Sequence, residues 1–370
     1  MKTNLVCNNC GRDADPDALD YRCGTCGSFF DLEPFPPFDP AQVRDDLPGL
    51  WRYRHALGLP EDAPPIHLGE GGTPLISRPT EFGEVAFKLE SLNPTGSHKD
   101  RGSTVLVSLL HAQGVTEVVE DSSGNAGASL AAYAAAAGIR ARIFVPDYAS
   151  GPKRRQIEAY GAEVVRILGV RSDVAEAVRR AAEAGTVYAS HAHLPQLQAG
   201  FATLAYELNE QLERAPGTVV VPAGQGGLLL GIAHGFSNLL AAGMIDRLPG
   251  IIGVQAMACA PLWAALTMGA AGLQWVTEGS TAAEGVRIRN PVRGDPVLRA
   301  VQVSGGTVLA VEEDRILPGR DALARLGFYV EPTSAIVWDA LRQLQAHPDH
   351  GEVREPVVAV LTGSGLKYAE

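Results

Sequence analysis

From about residue 84 onward, short apolar runs alternate with longer segments of helical periodicity. The runs are rich in Val and Ile and predict strands, and the segments of about 8–15 residues between them predict helices. The predicted strands are 85–89, 117–120, 141–145, 163–168, 218–221, 251–254, 307–311 and 357–361. The predicted helices are 102–112, 126–137, 153–160, 174–184, 201–212, 228–242, 320–326 and 334–344. This alternation predicts an α/β fold with parallel sheets, whose ligands bind at the carboxyl ends of the strands.

Four of the five cysteines lie in two Cys-x-x-Cys-Gly pairs near the N-terminus, Cys7 with Cys10 and Cys23 with Cys26. Such pairs supply the four sulfurs of a tetrahedral zinc site, and the glycine relieves the tight turn after each pair. The spacing predicts a structural zinc ribbon over residues 1–33, with a hairpin tip between the pairs. Two disulfides or free thiols are the alternative, and a reducing cytosol disfavours the disulfides. The fifth cysteine, Cys259, stands alone in an apolar segment, which predicts a small buried core residue.

The charge balance and the termini exclude several classes of partner. The net charge of −11 argues against nucleic acid, because a phosphate-binding surface needs clustered cations. The N-terminus has no apolar core of signal-peptide length, and no run of about 20 apolar residues exists. We therefore expect a cytoplasmic protein without a membrane partner. Its ligand is expected to be a small molecule.

Lys99 lies in a loop of small and turn-forming residues, 93–102, directly before an apolar helical stretch. A lysine at such a junction can have its pKa lowered by burial and by its neighbours, and it can form a Schiff base with an aldehyde cofactor. The other four lysines have plainer explanations in a terminus, a strand, a basic run and the tail: Lys2, Lys88, Lys153 and Lys367.

Two of the predicted strand ends lead into turns that suit anions. Residues 120–127 place hydroxyls and backbone N–H groups at a helix N-terminus, although Ser and Asn are also ordinary helix caps. Residues 222–228 carry closely spaced glycines, which let the backbone wrap around a phosphate or let a strand and a helix pack closely. They match no dinucleotide fingerprint because Leu229 takes the third glycine position, and the chain has no Gly-Lys pair of a P-loop.

Two further strand ends carry hydroxyl groups. Residues 360–365 run from a strand into a Gly/Ser turn, where a hydroxyl can bond a neutral ring nitrogen or simply complete a polar turn. Residues 331–335 have the Pro and Ser/Thr pattern of a helix cap, and Glu331 either faces a site or favours the helix dipole. One embedded lysine, one anion-binding turn, one glycine loop and one terminal hydroxyl are together more specific than any of them alone.

With these motifs the chain resembles the pyridoxal-phosphate enzymes of fold type II, the tryptophan synthase β group, and within them the threonine synthase family. The resemblance covers nearly the whole chain and is most specific in Asn93–Gly102. The other segments that carry it are Gly71–Leu75, Lys88–Leu92, Ser122–Asn125, Gly224–Leu228, Glu331–Ala335 and Leu361–Gly363. An N-terminal ribbon with Cys-x-x-Cys-Gly pairs also resembles a branch of threonine-synthase-like proteins.

The resemblance implies two three-layer αβα domains in addition to the small N-terminal zinc ribbon. We place the domain limits at 1–33 for the ribbon, 34–84 for a linker and the first part of the large domain, 85–190 for the small domain and 191–370 for the large pyridoxal-phosphate domain. We also expect a homodimer.

By the same resemblance, Lys99 would hold pyridoxal phosphate as a Schiff base and would act as a general base once the substrate amine displaces it. Asn125 would bond the ring oxygen of the cofactor, and Thr362 would meet its pyridine nitrogen. Backbone groups of the glycine loop would hold the phosphate: Gly224, Gln225, Gly226, Gly227 and Leu228. The turn after the strand at 117–120 would receive the substrate carboxylate: Ser122, Ser123 and Gly124.

The implied reaction is that of a lyase that converts O-phosphohomoserine and water into threonine and phosphate. Two departures from the family pattern bear on it. His98 stands where the family has Phe, and it either tunes Lys99 or packs as a ring. Residues 188–203, where threonine synthases place cations for the substrate phosphate, contain no Arg or Lys. The candidates to replace those cations are His191, His193, Arg154, Arg155, Arg287 and Arg289.

Two other activities and one non-catalytic function therefore stay open. A serine/threonine ammonia-lyase or another β-elimination or replacement enzyme with the same cofactor would act on a substrate without phosphate. A non-catalytic protein that senses an amino acid is the remote alternative.

Overall fold

The computed structural model describes residues 3–15, 18–148, 151–169, 171–347 and 352–368. Lys2 and the predicted hairpin-tip residues Pro16 and Asp17 lie outside this description. The chain divides into two compact units, the first built from Met1–Gly71 and Asn93–Phe201 and the second from Gly72–Leu92 and Ala202–Tyr368. These units cut the chain at other positions than the domain limits inferred from the sequence, and those limits stay a prediction.

The eight predicted strands and eight predicted helices are all present, and the structure adds a short strand at Val187–Tyr188, helices at Pro261–Met268 and Gly294–Val303, and four strands before residue 83. The strands are β1 Asn4–Cys7, β2 Asp13–Ala14, β3 Phe30–Glu33, β4 Leu75–Thr80, β5 Gly83–Lys88, β6 Glu117–Glu120, β7 Arg140–Pro146, β8 Glu163–Ile167, β9 Val187–Tyr188, β10 Thr218–Pro222, β11 Gly250–Ala256, β12 Thr307–Val311 and β13 Val357–Val360. The helices are α1 Lys99–Ala112, α2 Asn125–Ala137, α3 Pro152–Ala159, α4 Arg171–Glu183, α5 Leu197–Leu212, α6 Gly227–Ala241, α7 Pro261–Met268, α8 Gly294–Val303, α9 Glu313–Arg325 and α10 Pro332–Ala346.

The N-terminal ribbon is a three-stranded antiparallel sheet in the order β2-β1-β3. Gly11 and Gly27 each donate their backbone N–H to the carbonyl of the cysteine four residues earlier, and their φ angles are 69° and 73°. Only glycine adopts this left-handed conformation without strain, which explains the residue that follows each cysteine pair. The buried core of the ribbon is Leu5, Cys7, Cys23 and Phe30.

A four-stranded parallel sheet in the order β8-β7-β6-β9 forms the rest of the first unit's framework. Consecutive residues of a strand face opposite sides of a sheet. Phe144 of β7 packs with Val174 and Val178 of α4, whereas the neighbouring Ile143 faces Gly127 of α2. Helices therefore cover both faces of this sheet, as the three-layer prediction requires.

The second unit contains a six-stranded sheet in the order β12-β11-β10-β13-β5-β4, in which only the edge pair β4–β5 is antiparallel. Ile252 and Val254 of β11 pack in the cluster that includes Ile336 of α10. Gly253, which lies between them on the strand, faces Leu229 of α6. This unit is also a three-layer αβα arrangement.

Among the described residues, no helix combines the length and the apolar character that a crossing of the lipid bilayer requires.

Candidate active site

Lys99 is the first residue of α1 and is half-buried, and the loop before it is shaped by Asp100. The buried Asp100 carboxylate accepts hydrogen bonds from the Thr95 backbone N–H at 2.7 Å and from the Thr95 hydroxyl at 2.6 Å. It also accepts one from the Ser129 hydroxyl of α2 at 2.6 Å. A buried carboxylate that loses such donors pays a large desolvation cost, so these bonds fix the backbone beside Lys99.

Lys88 has a structural role, as its place in a predicted strand suggested. It is fully buried in the second unit, where its Nζ donates to Glu207 Oε2 at 2.7 Å and to the Thr73 carbonyl at 2.7 Å. Removing one partner of a buried ion pair costs about 3–5 kcal/mol of folding stability, so Lys88 stabilises the fold. His98 also has a packing contact, because its ring centroid lies 5.8 Å from that of Phe201.

The turn after β6 presents small polar groups at the start of α2. The Ser122 hydroxyl accepts a hydrogen bond from the Gly124 N–H at 3.3 Å, and Gly124 caps the helix without a side-chain bond. A Cβ at Gly127 would lie 1.9 Å from the Ser122 carbonyl oxygen, so the helix approaches the turn as closely as a glycine allows. Ser122, Ser123, Gly124 and Asn125 therefore surround a helix N-terminus, which attracts anions.

A buried acid and a partly buried histidine meet beside this turn. Glu120, the last residue of β6, has Oε1 at 2.6 Å from His191 Nδ1, and its Oε2 accepts the His191 backbone N–H at 3.3 Å. Burial raises the pKa of Glu120 to about 8 and lowers the pKa of His191 to about 3. Lys99 lies close enough for its positive charge to lower both pKa values, as a smaller effect. At neutral pH this histidine is therefore not a source of positive charge.

The buried pair predicts a pH dependence of stability. The folded pKa of Glu120 is about 8 against an ordinary 4.5, so unfolding releases a proton between these values and the free energy of unfolding falls as the pH rises. The folded pKa of His191 is about 3 against 6.5, so its penalty appears only as the pH falls below 6.5. Glu120→Gln is expected to remove a decline of at most about 1.4 kcal/mol per pH unit between pH 6.5 and 8.

Urea unfolding curves across this pH range measure that difference. Glu117→Gln is the matched control on the same strand, because ion pairing lowers the pKa of Glu117 and it does not titrate near neutral pH. Parallel stability curves for the Glu120→Gln variant and the unmodified protein above pH 6.5 would contradict the prediction.

The glycine loop of the second unit lies between β10 and α6. Gly226 caps α6 with a φ of 84° and no side-chain bond, and the first bond into the helix runs from the Leu230 N–H to the Gly226 carbonyl. The N–H groups of Gly227, Leu228 and Leu229 come before that bond and point out of the helix start, where a phosphate binds well. A Cβ at Gly226 would lie 2.3 Å from Val297 Cγ2, so close packing also requires this glycine.

Thr362 follows β13 and is held by α10. Its Oγ1 lies 2.9 Å from the Ser334 Oγ, which also accepts the Gly363 N–H at 2.8 Å. Glu331 is buried as the N-cap residue of α10. Since β13 and β10 are neighbours in one parallel sheet, Thr362 and the glycine loop both follow the carboxyl ends of adjacent strands.

The sequence did not reveal Glu120 or Ser334 as partners of candidate site residues. An acid that ends an otherwise apolar run was the available signal for Glu120, and the cap pattern at 331–335 was the signal for Ser334. The sulfurs of the four ribbon cysteines lie within 4.8 Å of one another, with Cys7–Cys26 at 3.5 Å and Cys10–Cys23 at 3.7 Å.

Comparison with known proteins gives a family for this arrangement. The family described as pyridoxal-phosphate dependent enzymes matches residues 66–363. A threonine synthase of Methanocaldococcus jannaschii is 33% identical, and the match covers 98% of this chain and 92% of that protein. A threonine synthase of Methanosarcina acetivorans is 34% identical over the same shares of the two chains. The solved structure of a threonine deaminase from T.th. has a TM-score of 0.66 at 25% identity and covers 80% of this chain and 94% of its own.

Proposed function

This chain belongs to the family of pyridoxal-phosphate dependent enzymes, and we propose that it is a threonine synthase, which converts O-phosphohomoserine and water into threonine and phosphate. The observation that carries the proposal is the similarity to threonine synthases over 98% of the chain, with the ribbon included. The residues present suit the implied cofactor. The backbone N–H groups at the start of α6 are uncapped and match a phosphate, and Lys99 supplies a half-buried amine at a rigid helix start.

The proposed roles follow the motifs. Lys99 would hold the cofactor, and backbone groups of 224–228 would bind its phosphate. Asn125 would bond the ring oxygen, and Thr362 would meet the ring nitrogen. The turn of Ser122, Ser123 and Gly124 would receive the substrate carboxylate.

Pyridoxal phosphate, when bound, supplies an electron sink for the carbanion that forms when a substrate loses its α-proton. The chain supplies the positioning and the proton transfer. Lys99 Nζ would take the α-proton, and the Asp100 bonds keep the helix start that carries it in place. The Ser334 hydroxyl lies 2.9 Å from the Thr362 hydroxyl, and this contact helps to fix the orientation of the Thr362 side chain. The dipole of α2 would favour the substrate carboxylate at the turn before it.

The ribbon cysteines have the geometry of a zinc site. A tetrahedral ion with Zn–S bonds of about 2.3 Å separates its sulfurs by about 3.8 Å. The sulfur pairs at 3.5 and 3.7 Å are close to that spacing. A zinc ion held by Cys7, Cys10, Cys23 and Cys26 would close its coordination sphere and have a structural role.

A serine/threonine ammonia-lyase is the second candidate, and one observation favours it. Residues 188–203 contain no Arg or Lys, and His191 is neutral at neutral pH. Of the arginines considered in their place, Arg154 pairs with Glu158 and Arg287 donates to the Glu278 carbonyl. A substrate phosphate would therefore need a cation from outside residues 188–203, such as Arg155 or Arg289, whereas serine or threonine needs none.

Separate incubations with O-phosphohomoserine and with threonine decide between the two activities. We expect the protein, supplied with pyridoxal phosphate, to release phosphate and form threonine in equal amounts from the first substrate. Formation of 2-oxobutyrate from threonine, without phosphate release from O-phosphohomoserine, would establish the ammonia-lyase instead. If no amino acid tested exchanges its α-proton, the remaining candidate is a non-catalytic protein that senses an amino acid.

The homodimer and the cytoplasmic location belong to this proposal. They rest on the resemblance to the threonine synthase family alone.

A further inference from the structure

The ribbon contacts the sheet of the first unit through one aromatic side chain, Tyr21. Its ring packs edge-on against the ring of Tyr188, with centroids 5.1 Å apart and an interplanar angle of 66°. It also meets the His193 ring at 5.7 Å and 87°. Tyr21 is half-buried and joins the cluster of Val119, Phe144, Val174, Val178 and Tyr188. A second contact supports this one, since Gln196 Nε2 donates to the Ala18 carbonyl at 3.4 Å.

The two rings that Tyr21 contacts, those of Tyr188 and His193, belong to the segment that also carries His191, the partner of Glu120. The Tyr188 hydroxyl donates to Asp121 Oδ1 at 2.8 Å, and Asp121 directly precedes Ser122. His193 Nδ1 lies 3.0 Å from the Ser190 hydroxyl, which closes a short turn around His191. Tyr188 and His193, which Tyr21 contacts, therefore flank His191 in the sequence.

The contact between Tyr21 and Tyr188 affects two features, strand β9 and the Ser122–Gly124 turn. Tyr188 lies on β9 at the edge of the sheet, and β9 has only two residues, so few backbone bonds hold it. The Tyr21 ring adds a side-chain contact to Tyr188 that does not depend on these backbone bonds. The position of Tyr188 in turn sets the Asp121 carboxylate and the start of the Ser122–Gly124 turn. The ribbon thus reaches the turn through two side-chain contacts.

We infer that the ribbon is a positioning element for the reaction, in which Tyr21 braces Tyr188 and His193 and so holds the Ser122–Gly124 turn and His191 beside Lys99. This inference rests on the proposed catalytic function for its effect on turnover. Tyr21 touches neither substrate nor cofactor in this role and acts only through its neighbours. A misplacement of about 1 Å in such a positioning group can lower turnover by about 100-fold.

The test compares Tyr21→Ala, Tyr21→Phe and the ribbon control Arg12→Ala. Arg12 is exposed and donates to the Thr25 hydroxyl within the ribbon at 2.8 Å, so its loss changes the ribbon away from Tyr188. We expect Tyr21→Ala to keep its zinc, to lower kcat/KM by about 10- to 100-fold, and to speed amide hydrogen exchange at residues 187–193 and 119–125. Tyr21→Phe keeps the ring and should retain both activity and protection, and Arg12→Ala should do the same.

The exchange measurement needs no substrate, so it tests the bracing even if the protein acts on threonine rather than O-phosphohomoserine. Turnover is then measured with whichever amino acid the unmodified protein consumes. Tyr188→Phe removes the bond to Asp121 but keeps the ring, and its effect should not add fully to that of Tyr21→Ala. The inference is overturned if zinc-loaded Tyr21→Ala shows unchanged exchange and unchanged kcat/KM, or if Arg12→Ala loses as much as Tyr21→Ala.

Discussion

Replacing Lys99 by alanine is expected to lower kcat/KM by about 10⁴-fold or more. The substitution removes the amine that would hold the cofactor, and it removes the general base, which alone contributes about 10²- to 10⁴-fold. The fold should survive, because the Lys99 side chain is only half-buried and the Asp100 bonds that shape the loop do not involve it. Steady-state turnover with circular dichroism on the same sample measures both.

Lys153→Ala is the matched control for this substitution. Lys153 also lies in the first turn of a helix, α3, but belongs to a basic run with Arg154 and Arg155. It should leave turnover unchanged. Borohydride treatment of the unmodified protein with bound cofactor should fix a label on the peptide that contains Lys99 and on no other lysine. Full activity in Lys99→Ala, or a label at another lysine, would remove the basis of the proposed function.

Replacing Cys23 by serine is expected to abolish the proposed zinc binding and to unfold the ribbon. Cys23 is buried in the ribbon core and is one of only four sulfurs that can hold the metal there. Structural zinc supplies about 10–16 kcal/mol of apparent binding free energy in small zinc-dependent folds, and this ribbon has a small core of its own. Metal analysis and limited proteolysis within residues 4–33 measure the two effects.

Cys259→Ser is the control for the chemical change from sulfur to oxygen. Cys259 is fully buried in the second unit, which confirms its prediction as a core residue, and it lies outside the cysteine cluster. Its replacement should leave the metal content at one zinc per chain, as expected for a tetrahedral four-cysteine site. Full zinc occupancy in Cys23→Ser would mean that other residues bind the metal.

Elements with strong local signals were predictable from the sequence. Strands at 117–120 and 307–311 have the predicted bounds, because each apolar run is closed by turn residues. The edge strand β4 was missed because Pro79 lies in it, and proline is tolerated only where no neighbouring strand needs its N–H. Helix α9 begins at Glu313 rather than at residue 320, and it accommodates Pro318, a residue type that usually ends or kinks a helix. Strand β9 has two residues, too few for a pattern.

The candidate site divides in the same way. Lys99 and the glycine loop stand in local patterns of turn and helix start, so their place in the fold follows from residues nearby in sequence. The pairing of Glu120 with His191 joins residues that are 71 positions apart. Burial, which sets both of their pKa values, arises only when the sheet and its helices have assembled. No local pattern reports such a contact.

The sheet of the second unit places β13 between β10 and β5, with Val357 paired to both Thr218 and Val85. One of the two central strands of this sheet is thus the last of its six strands to be synthesised. Until residues 357–360 leave the exit tunnel, the edge of β5 that pairs with β13 has no partner strand, although most of the chain has already been synthesised. Strand pairs this distant in sequence form slowly, and an exposed strand edge invites aggregation. Nascent chains that stop short of β13 should therefore depend on chaperones.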